Sequence, residues 1–534
     1  MGEASINKTM KVVTSEEMRS LEKCSNLRGI DNRTLMEKAG LEIALSVSRE
    51  IGFLREVPIL ILVGPGNNGS DGLIAGMWLS SFGAKVTAVL LSDRPSSDTI
   101  LAKAVQSDTM LLPLFKDESQ ETLDLLAYEI ERSFVILDAI FGIGINRPIT
   151  GFLARELALV DQFKRSDSLV FAVDAPTGLF IDTGQVDKSI LVPDITLALG
   201  VVKIGHITQP GASRIGQLKV LDIGIPDNIE ESIRCNLITQ EMVAEFFVDR
   251  PGDSNKGTFG KALIIGGSEN YIGAVGFAAE AAYRSGVGLV TVAVPREIYL
   301  AVATAIPEAT VMPLNLNQFN SCADETSNTR LILEATQGYS SLLFGCGVGL
   351  SRESGIILNN LLLSGVNLPP IVLDADGLNL ISKVSNWWDR LPSGTVLTPH
   401  PGEMATLTGN KISEIQSNRS HVCKYYAHRW NTIIVLKGAN TVISCPSGET
   451  WISPWSNSAL SVAGTGDVLS GLIAGFRAQG IPAVEASILA VYVHGLAGEH
   501  YTNTVGASGL LASDLLTILP KCIETLKKGY ICQI

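Results

Sequence analysis

The sequence predicts an α/β protein made of two domains, each with a largely parallel β-sheet covered by helices. Two observations lead to this prediction. The chain has 534 residues, more than one hydrophobic core ordinarily supports. Along most of its length, short continuous apolar runs alternate with segments of helical periodicity. That alternation is typical of βαβ units, whose strands are buried on both faces of the sheet.

The first half contains six apolar runs and four segments of helical period. The runs predict strands at residues 58–63, 85–91, 134–137, 169–173, 195–199 and 218–221. The periodic segments predict helices at residues 33–50, 71–82, 99–110 and 151–163. Ligands of such sheets bind beyond the carboxyl ends of the strands, where this half keeps its polar residues.

The strand pattern stops near residue 224, and a polar stretch separates it from a second series. We therefore expect a boundary between about residues 224 and 240, with domains at 1–226 and 234–534. Strands of the second series are predicted at 261–265, 289–294, 341–344, 371–373, 395–397, 432–436 and 441–444. Helices are predicted at 273–285, 353–363, 412–430, 467–478, 483–501 and 512–527, and a surface loop at 315–329.

Composition excludes several classes of protein. The net charge is −13 and no basic run is present, which argues against a nucleic-acid surface. The eight cysteines are scattered, as expected for reduced thiols in the cytoplasm. No apolar run reaches the roughly 18 residues of a membrane span. The six histidines form no paired metal motif, so a histidine-built metal site is not expected.

The stretch A-G-T-G-D at residues 463–467 is followed by an apolar helical pattern. Such a loop directs backbone N–H groups at an anion, and the helix N-terminus adds positive potential. Asp467 is placed to remove a proton from a hydroxyl that faces the anion, which indicates phosphoryl transfer to an alcohol. Taken alone, the motif more often marks a helix entered through a glycine turn, with Asp467 as a first-turn carboxylate.

The first half has its own polar loops. G-P-G-N-N-G-S-D-G at residues 64–72 follows the first predicted strand and opens a helix, so its amides can hold a phosphate. Asp138 and Asp174 each end an apolar strand. Oxygen atoms of Asn68, Asp138 and Thr177 are suited to a hard cation. A single strand-end aspartate could equally cap the next helix, but three such loops at one sheet edge favour a site.

The second half repeats this arrangement. T-P-H-P-G-E at residues 398–403 presents His400 between two prolines, and V-L-K-G-A-N-T places Lys437 at the end of a buried strand. A buried ammonium without a counterion is unfavourable, so Lys437 needs an anion or solvent. A nucleotide phosphate would satisfy this need.

On the basis of these motifs, residues from about 10 to 222 resemble the NAD(P)H-hydrate epimerase domain, a Rossmann-like parallel-sheet sandwich. The matching pieces are G-P-G-N-N-G-S-D-G, D-A-I-F-G-I-G and V-D-A-P-T-G. The resemblance implies potassium ligands at Asn68, Asp138 and Thr177. It implies that the hydrated nucleotide contacts Asn67, Asn68, Gly69, Ser70, Asp71, Gly142, Ile143, Gly144, Ile145, Asn146, Arg147, Pro148 and Asp174. Ser70 stands where the family more often has glycine.

Residues from about 235 to 530 are similar to the NAD(P)H-hydrate dehydratases, a branch of the ribokinase-like α/β/α superfamily. N-S-A-L-S-V-A-G-T-G-D-V-L-S-G carries this resemblance. It implies that Asp467 is catalytic and that Mg²⁺ bridges the nucleotide phosphates. The implied contacts of the hydrated cofactor are Gly347, His400, Pro401, Gly402, Glu403, Met404, Ala405, Thr406 and Asp467. The implied ADP contacts are Lys437, Gly438, Ala439, Asn440, Thr441, Asn457, Ser458, Ala459, Leu460, Ser461, Val462, Ala463, Gly464, Thr465 and Gly466.

Both resemblances in one chain imply a bifunctional repair enzyme for hydrated NADH and NADPH (NADHX and NADPHX). It would interconvert their R and S forms and dehydrate the S form, with ADP consumed and AMP and phosphate released. Its partners would be these small molecules, with neither nucleic acid nor membrane, and a homo-oligomer is left open. One alternative is a ribokinase-like kinase for a sugar or vitamin precursor fused to a nucleotide-binding regulatory domain. Another is a non-catalytic nucleotide sensor or scaffold.

Overall fold

The computed structural model describes residues 10–95, 97–114, 119–145, 147–226, 229, 232–315, 322–362 and 367–529. The chain forms two compact units that meet in sequence between Arg234 and Cys235. We call Met10–Arg234 the N-terminal unit and Cys235–Ile534 the C-terminal unit. Helices and largely parallel sheets make up both units, so the predicted α/β class is confirmed.

The N-terminal unit contains eleven short strands and six helices among its described residues. The strands are β1 Met10–Val13, β2 Pro58–Val63, β3 Lys85–Leu90, β4 Met110–Pro113, β5 Val135–Ala139, β6 Leu169–Val173, β7 Leu179–Phe180, β8 Gln185–Val186, β9 Ile195–Leu199, β10 Val202–Lys203 and β11 Gln217–Leu221. The helices are α1 Ser15–Leu27, α2 Asn32–Ile51, α3 Asn67–Ser81, α4 Thr99–Val105, α5 Gln120–Arg132 and α6 Phe152–Phe163.

Seven of these strands form one parallel sheet in the order β11-β9-β6-β5-β2-β3-β4. The chain adds β3 and β4 on one side of β2 and then returns to add β5 on the other. The order therefore reverses between β2 and β5, and such a reversal opens a crevice at the carboxyl ends of the two strands. Leu62 of β2 pairs with Asp138 of β5, so a carboxylate lies in the centre of this sheet.

Sequence explains why the sheet is sandwiched between helices. Every residue of β2 after Pro58 is buried, as a strand covered on both faces requires. Helix α2 begins after Asp31, whose carboxylate accepts the backbone N–H of Thr34 at 2.8 Å and caps the helix. On one face of the sheet, α2 and α3 bury apolar residues such as Ile43 and Leu73 in a common core.

The C-terminal unit has ten strands and twelve helices among its described residues. The strands are β12 Cys235–Leu237, β13 Lys261–Ile265, β14 Leu289–Pro295, β15 Thr310–Leu314, β16 Ser341–Phe344, β17 Ile371–Leu373, β18 Val396–Leu397, β19 Ile433–Leu436, β20 Val442–Ser444 and β21 Thr450–Ile452. The helices are α7 Gln240–Ala244, α8 Ile272–Arg284, α9 Tyr299–Ala305, α10 Cys322–Thr336, α11 Arg352–Leu362, α12 Asp376–Ile381, α13 Pro401–Thr408, α14 Ile412–Ser417, α15 Arg419–Trp430, α16 Thr465–Ala478, α17 Ala483–Thr504 and α18 Ala512–Lys527.

The strands of this unit follow the order β12-β21-β20-β19-β18-β17-β16-β13-β14-β15. They are parallel from β19 to β15, and β20 is antiparallel to both of its neighbours. Here the order reverses between β13 and β16. The carboxyl ends of β16 to β19 lie along one edge and carry the loops that begin at Gly345, Asp374, Thr398 and Lys437.

Helix α16 packs closely against α8 and begins at the A-G-T-G-D loop. Its glycines permit the approach, since a Cβ on Gly471 would lie 2.2 Å from the carbonyl oxygen of Ala278. Gly464 has φ +93° in the left-handed region, and a Cβ there would lie 2.9 Å from both Ala512 and Phe277. Glycine is therefore required where the loop turns into the helix.

Several local predictions differ from the structure. The predicted loop at 315–329 is wrong for residues 322–329, which belong to α10, while 316–321 lie outside the described residues. The single helix predicted at 412–430 is two helices, because Asn418 has φ −149° and ψ 55° and interrupts the hydrogen bonding. The helix predicted at 99–110 ends at Val105 and is followed by β4. Strand β1 and helices α1 and α5 were not predicted.

Two further findings bear on the class of protein. None of the described helices combines the length and the apolarity that crossing a membrane would need. Within the described ranges, no cysteine is joined to another by a disulfide bond.

Candidate functional site

A cavity of about 490 Å³ lies in the N-terminal unit at the reversal between β2 and β5. Its volume is in the range of pockets that hold small molecules. Three sources supply its walls: the loop after β2, the loop after β5, and helices α1 and α2. The lining residues are Met18, Arg19, Glu22, Asn32, Leu35, Met36, Ala39, Pro65, Gly66, Asn67, Asn68, Asp71, Ile140, Phe141, Gly142, Ile143, Gly144, Asp174, Leu199 and Ile223.

Arg94 holds the glycine loop after β2 in place through hydrogen bonds. The guanidinium donates to the carbonyl oxygens of Gly64 at 2.6 Å and Gly66 at 3.3 Å, and to the hydroxyl of Ser70 at 2.6 Å. Arg94 also pairs with Asp98 at 2.7 Å and its side chain is 3% exposed. The pair carries no net charge, so Arg94 shapes the loop and leaves the local potential almost unchanged.

Two buried polar atoms at the start of α3 have no hydrogen-bond partner among the described residues. They are Nδ2 of Asn68 and Oδ1 of Asp71, on residues that are 9% and 6% exposed. Both residues line the cavity. Unpaired buried polar atoms are rare because desolvation without compensation is unfavourable, so these atoms indicate a missing ligand. Burial, then Asp174 and Glu22, raises the pKa of Asp71 well above its usual value.

Asp174 ends β6 in an unusual backbone conformation and pairs with Lys203. Its φ is +64°, in the left-handed region that aspartate tolerates better than most residues. The Asp174 carboxylate accepts a short hydrogen bond from Lys203 Nζ and a bond from the backbone N–H of Leu199 at 3.1 Å. Lys203 is fully buried and also donates to the carbonyl oxygen of Leu199 at 2.7 Å. Asp174, which lines the cavity, is thus paired with a fully buried lysine.

Asp138 and Thr177 form a second buried polar group. The Asp138 carboxylate accepts the backbone N–H and the hydroxyl of Thr177, both at 2.7 Å, and the backbone N–H of Ile140 at 3.3 Å. Burial raises the pKa of Asp138 to about 6, although the hydrogen bonds from Thr177 oppose the shift. Within the described residues, Asp138 has no ion pair with a basic side chain. A buried carboxylate, a hydroxyl and an amide carbonyl fit a hard cation by donor chemistry.

Gly142 explains why the loops can approach one another. A Cβ at this position would lie 3.0 Å from Oδ2 of Asp174 and 3.1 Å from Oδ1 of Asn68. The oxygens of these two residues therefore converge on the backbone of the loop after β5.

The predicted contacts of the N-terminal unit separate into two groups. The residues that line the cavity are Asn67, Asn68, Asp71, Gly142, Ile143, Gly144 and Asp174. Those outside its lining are Gly69, Ser70, Ile145, Arg147 and Pro148. Ser70 is engaged by Arg94, Ile145 packs in a core beneath the sheet, and Asn146 lies outside the described residues. The prediction did not include Lys203 or the wall formed by α1 and α2.

Lys437 occupies the centre of the site in the C-terminal unit. Its Nζ lies 2.6 Å from Oδ1 of Asp374 and 3.7 Å from Oε2 of Glu403. The counterion expected for this lysine is therefore present as a carboxylate of the chain. Burial lowers the pKa of Lys437, but Asp374 and Glu403 outweigh it and raise the pKa above its usual value. Asp374 ends β17 and is 1% exposed.

Asp467 faces this group from the first turn of α16. One ligand atom each of Cys346, Asp374 and Asp467 lies within 4.8 Å of the other two. Burial, and next the charge of Asp374, raises the pKa of Asp467 to about 7, while a hydrogen bond from Cys346 opposes the shift. A Cβ on Gly466 would lie 3.4 Å from Nζ of Lys437. The glycine loop therefore brings a carboxylate of near-neutral pKa beside a buried ammonium.

His400 caps α13 and does not present a free imidazole. Its Nδ1 accepts the backbone N–H groups of Gly402 at 2.9 Å and Glu403 at 3.2 Å, and the backbone N–H of His400 donates to Oε2 of Glu403 at 2.7 Å. This reciprocal arrangement is a capping box. It holds Glu403 toward Lys437. Burial raises the pKa of Glu403 to about 7, while Lys437 opposes this shift.

The loop from residue 457 to 466 is fixed by its neighbours. The Asn457 amide donates to Oε1 of Glu499 and to the hydroxyl of Thr502, both at 2.9 Å. Nε2 of His494 donates to the carbonyl oxygen of Thr465 at 3.0 Å. Burial lowers the pKa of His494 to about 4, so the imidazole is neutral at pH 7. These hydrogen bonds position the start of α16 and the loop before it.

The structure places several predicted site residues of this unit next to one another, and it adds Asp374, which was not predicted. His400, Glu403, Lys437, Gly466 and Asp467 form a continuous group. Met404 is fully buried in packing, and the side chain of Asn457 is used within the protein. Asp374 is at the centre but was not among the predicted site residues, although its strand-end position in L-D-A-D-G was visible in the sequence.

Comparison with known proteins assigns both units. Residues 262–521 match the model of the NAD(P)H-hydrate dehydratase family, and residues 32–205 match that of the YjeF-related protein N-terminus. The bifunctional NAD(P)H-hydrate repair enzyme of Moorella thermoacetica is 34% identical over 97% of this chain and 98% of its own length.

This chain belongs to the bifunctional NAD(P)H-hydrate repair enzymes.

Another member of this repair-enzyme family, from Thermofilum pendens, is 32% identical over 98% of each chain. Among solved structures, the ADP/ATP-dependent NAD(P)H-hydrate dehydratase of Bacillus subtilis, co-crystallised with ATP/Mg²⁺, is 31% identical. It matches 54% of this chain and 98% of its own, with a TM-score of 0.47. The family resemblance predicted from the motifs is confirmed, whereas the individual site residues remain predictions.

Proposed function

We propose that the N-terminal unit interconverts the R and S forms of hydrated NADH and NADPH, and that the C-terminal unit dehydrates the S form. Dehydration uses ADP and releases AMP and phosphate. The observation that carries the second assignment is the group formed by Asp467, Lys437 and Asp374 at the start of α16. It combines a carboxylate of raised pKa, a fixed ammonium and a helix N-terminus.

Asp467 is the proposed general base. Hydroxide is a poor leaving group from the hydrated ring, and transfer of a phosphoryl group to the hydroxyl converts it into phosphate, a good one. Asp467 takes the hydroxyl proton during this transfer, and its pKa of about 7 suits a base that works near neutral pH. Loss of phosphate from the ring then restores the dihydronicotinamide.

The remaining groups of this site bind and orient the nucleotide and the phosphoryl group that is transferred. The N–H groups of Gly464 and Gly466 at the start of α16 suit the transferred phosphoryl group, while that of Thr465 donates to the carbonyl oxygen of Val462 at 3.4 Å. Lys437, already paired with Asp374, adds a positive charge beside them. The carboxylates of Asp374 and Glu403 suit Mg²⁺, which would neutralise charge on the nucleotide phosphates. The loops at 437–441 and 457–466 are the proposed ADP site.

The N-terminal unit is proposed as the epimerase because its cavity contains orphaned polar atoms beside a buried acid–base pair. Asn68 and Asp71 offer unpaired groups to the substrate, and Asp174 with Lys203 can exchange protons with it. Asn68, Asp138 and Thr177 are the proposed ligands of K⁺, which would compensate the buried charge of Asp138. We also propose a cytoplasmic location, supported by the scattered cysteines, and leave the oligomeric state to measurement.

A single assay tests the function. The full chain is given an equal mixture of R and S hydrates with ADP, with ATP or without nucleotide, and the ring absorbance and each epimer are followed. Complete conversion to NADH with ADP, and epimer exchange alone without nucleotide, is the expected result. Accumulation of a stable phosphorylated sugar or vitamin precursor, with both hydrates untouched, would instead support the kinase alternative.

A further inference from the structure

Inversion of the hydroxyl-bearing ring carbon by loss and return of water involves proton transfer on both faces of the ring. This carbon is bonded to the ring nitrogen, whose lone pair can expel the hydroxyl once that oxygen is protonated. Water then adds to the opposite face and gives up a proton. One face needs an acid while the other needs a base, and the roles exchange in the reverse direction. A site that works in both directions therefore needs two acid–base groups on different walls.

The cavity of the N-terminal unit offers such groups on different elements. Asp174 lies at the end of β6 and is tied to Lys203. Glu22 lies on α1, which forms another wall of the same cavity. Asp71, on α3, is almost fully buried at the base of the glycine loop. Glu22 is half-buried and opens into the cavity, so a carboxyl group at this position can meet a ring that enters it.

We propose that Glu22 is a catalytic acid–base residue of epimer exchange and acts on the ring face opposite to the one served by Asp174 and Lys203. This proposal rests on the epimerase function proposed above. In one direction Glu22 donates a proton to the hydroxyl oxygen, the C–O bond breaks and water leaves, and the ring nitrogen shares its lone pair with the carbon. A second water molecule forms the new C–O bond from the other face and gives its proton to the Asp174–Lys203 pair. Proton exchange with water then returns Glu22 and the Asp174–Lys203 pair to their starting states, so the net change is inversion alone.

The surroundings of Glu22 support both protonation states. Burial, and then the negative charge of Asp174, raises its pKa above the usual value, while Lys203 and Arg19 oppose the shift. The facing charged groups are Arg19 on α1, Asp71 on α3, Asp174 after β6 and Lys203 on β10. Burial and Asp174 therefore favour the acid form of Glu22, while Lys203 and Arg19 favour its carboxylate.

Helix α1 is anchored well enough to hold a reacting group. Thr14 and Glu17 form a capping box at its start, and the hydroxyl of Ser15 donates to Oδ2 of Asp182 at 2.6 Å. Met18 and Leu21 bury the inner face of the helix. Glu22 is next to this buried face, and its position is therefore set by packing as well as by the cavity.

The test uses the full chain with Glu22→Gln, Glu22→Asp and the control Glu16→Gln, which alters an exposed carboxylate on the same helix. Epimer exchange is measured without nucleotide from pH 5 to 9, circular dichroism and thermal unfolding of each variant control for folding, and dehydration of pure S hydrate with ADP controls for the amount of active chain. We expect Glu22→Gln to lower kcat for exchange by about 10²- to 10⁴-fold, a typical loss for an acid–base group, with KM changed much less. One limb of the pH profile should disappear, Glu22→Asp should restore part of the rate, and Glu16→Gln should behave as wild type.

The outcomes are separable from failure of the proposed function. If the wild-type chain does not exchange epimers at all, the epimerase assignment itself is wrong. If the wild type exchanges them and Glu22→Gln does so equally fast with the same pH profile, Glu22 has no catalytic role. A KM increase at constant kcat would reduce Glu22 to a binding residue and overturn the proposal. Loss of exchange in Asp71→Asn, with Glu22→Gln unaffected, would assign the second acid–base role to Asp71.

Discussion

Nζ of Lys437 lies 2.6 Å from Oδ1 of Asp374, so the ammonium at the end of β19 is paired with the carboxylate at the end of β17. Glu403 and Asp467 face the same ammonium, which leaves more carboxyl groups than positive charges. Burial, together with this imbalance, explains why the pKa values of Glu403 and Asp467 are both raised to about 7. The site is prepared to release or accept a proton near neutral pH.

Replacement of Lys437 by Gln is expected to weaken ADP binding by about 10- to 100-fold, the range for loss of a charge-assisted hydrogen bond. Because Lys437 lowers the pKa of Asp467, the pH midpoint of dehydratase kcat should also move upward. Calorimetric titration of ADP and a pH series of kcat measure the two effects. Lys424→Gln, an exposed lysine on α15, is the matched control. Unchanged ADP affinity would remove Lys437 from the nucleotide site.

Asp467→Asn is expected to lower dehydratase kcat by roughly 10²- to 10⁴-fold because the general base is lost. Its fold and its binding of ADP should remain, since the substitution keeps the shape of the side chain. Circular dichroism, ADP titration and turnover of pure S hydrate test this prediction. Epimer exchange in the same preparation should be unaffected. Turnover at the wild-type rate would show that another group removes the proton.

The raised pKa of Asp467 also predicts how activity and stability depend on pH. The base must be ionised, so kcat should rise as pH increases through about 7. The folded-state pKa exceeds the ordinary value of 3.8, so the folded protein retains this proton more strongly than the unfolded chain does. The resulting contribution to stability is complete below pH 3.8 and is lost as pH rises toward 7. Thermal unfolding should therefore show Asp467→Asn to be more stable than wild type at pH 8. If instead its advantage is greatest at acidic pH, the direction of the pKa shift is wrong.

Asp138→Asn is expected to raise the K⁺ concentration required for epimer exchange. The amide retains the size of the carboxylate but removes the charge that would attract the ion. It also loses one acceptor for Thr177, which should reduce stability by about 1–3 kcal/mol through an unpaired buried group. Exchange rates across a potassium titration, compared with a sodium series, test the ion site. Identical potassium curves for variant and wild type would place the ion elsewhere.

The two units are expected to fold and act separately when expressed as residues 1–234 and 235–534. Each contains its own reversal in strand order and its own hydrophobic core. The first piece should exchange epimers without a nucleotide. The second should consume ADP and convert only S hydrate, leaving about half of an equal mixture before spontaneous exchange. Insoluble or inactive pieces would show that the units depend on each other.

The sequence identified the strands and most loops of both sites because these signals are local. The end of a buried strand and a glycine-rich helix start are readable from a few neighbouring residues. Lys203 and Glu22 were not identified, and the reason is physical. Glu22 belongs to a polar helix whose pattern resembles a solvent-exposed face, and Lys203 pairs with a carboxylate 29 residues earlier in the chain. Only the three-dimensional packing of α1 and β10 brings Glu22 to the cavity and Lys203 to the Asp174 carboxylate that lines it.

The difference between local signals and long-range pairings also explains which site residues of the C-terminal unit were predicted. Asp467 follows two glycines at a helix start and was predicted directly. Asp374 becomes central only through Lys437, 63 residues later. The capping role of His400 was also missed, since proline on both sides suggests an exposed rigid residue without showing what its ring accepts. The sequence therefore located the loops better than the pairings between them.

In both sites, a residue with positive φ lies just after a strand, either at the strand-end aspartate or directly after it. Asp174 has φ +64° itself, and Ala375, directly after Asp374, has φ +51°. An alanine in this conformation is strained by roughly 1–2 kcal/mol, and glycine would relieve the strain. Laboratory evolution for heat resistance alone should therefore favour glycine at Ala375. Selection for turnover should resist the same change, since a looser turn would let Asp374 drift from Lys437. Selection for thermal stability and selection for turnover would therefore favour different residues at position 375.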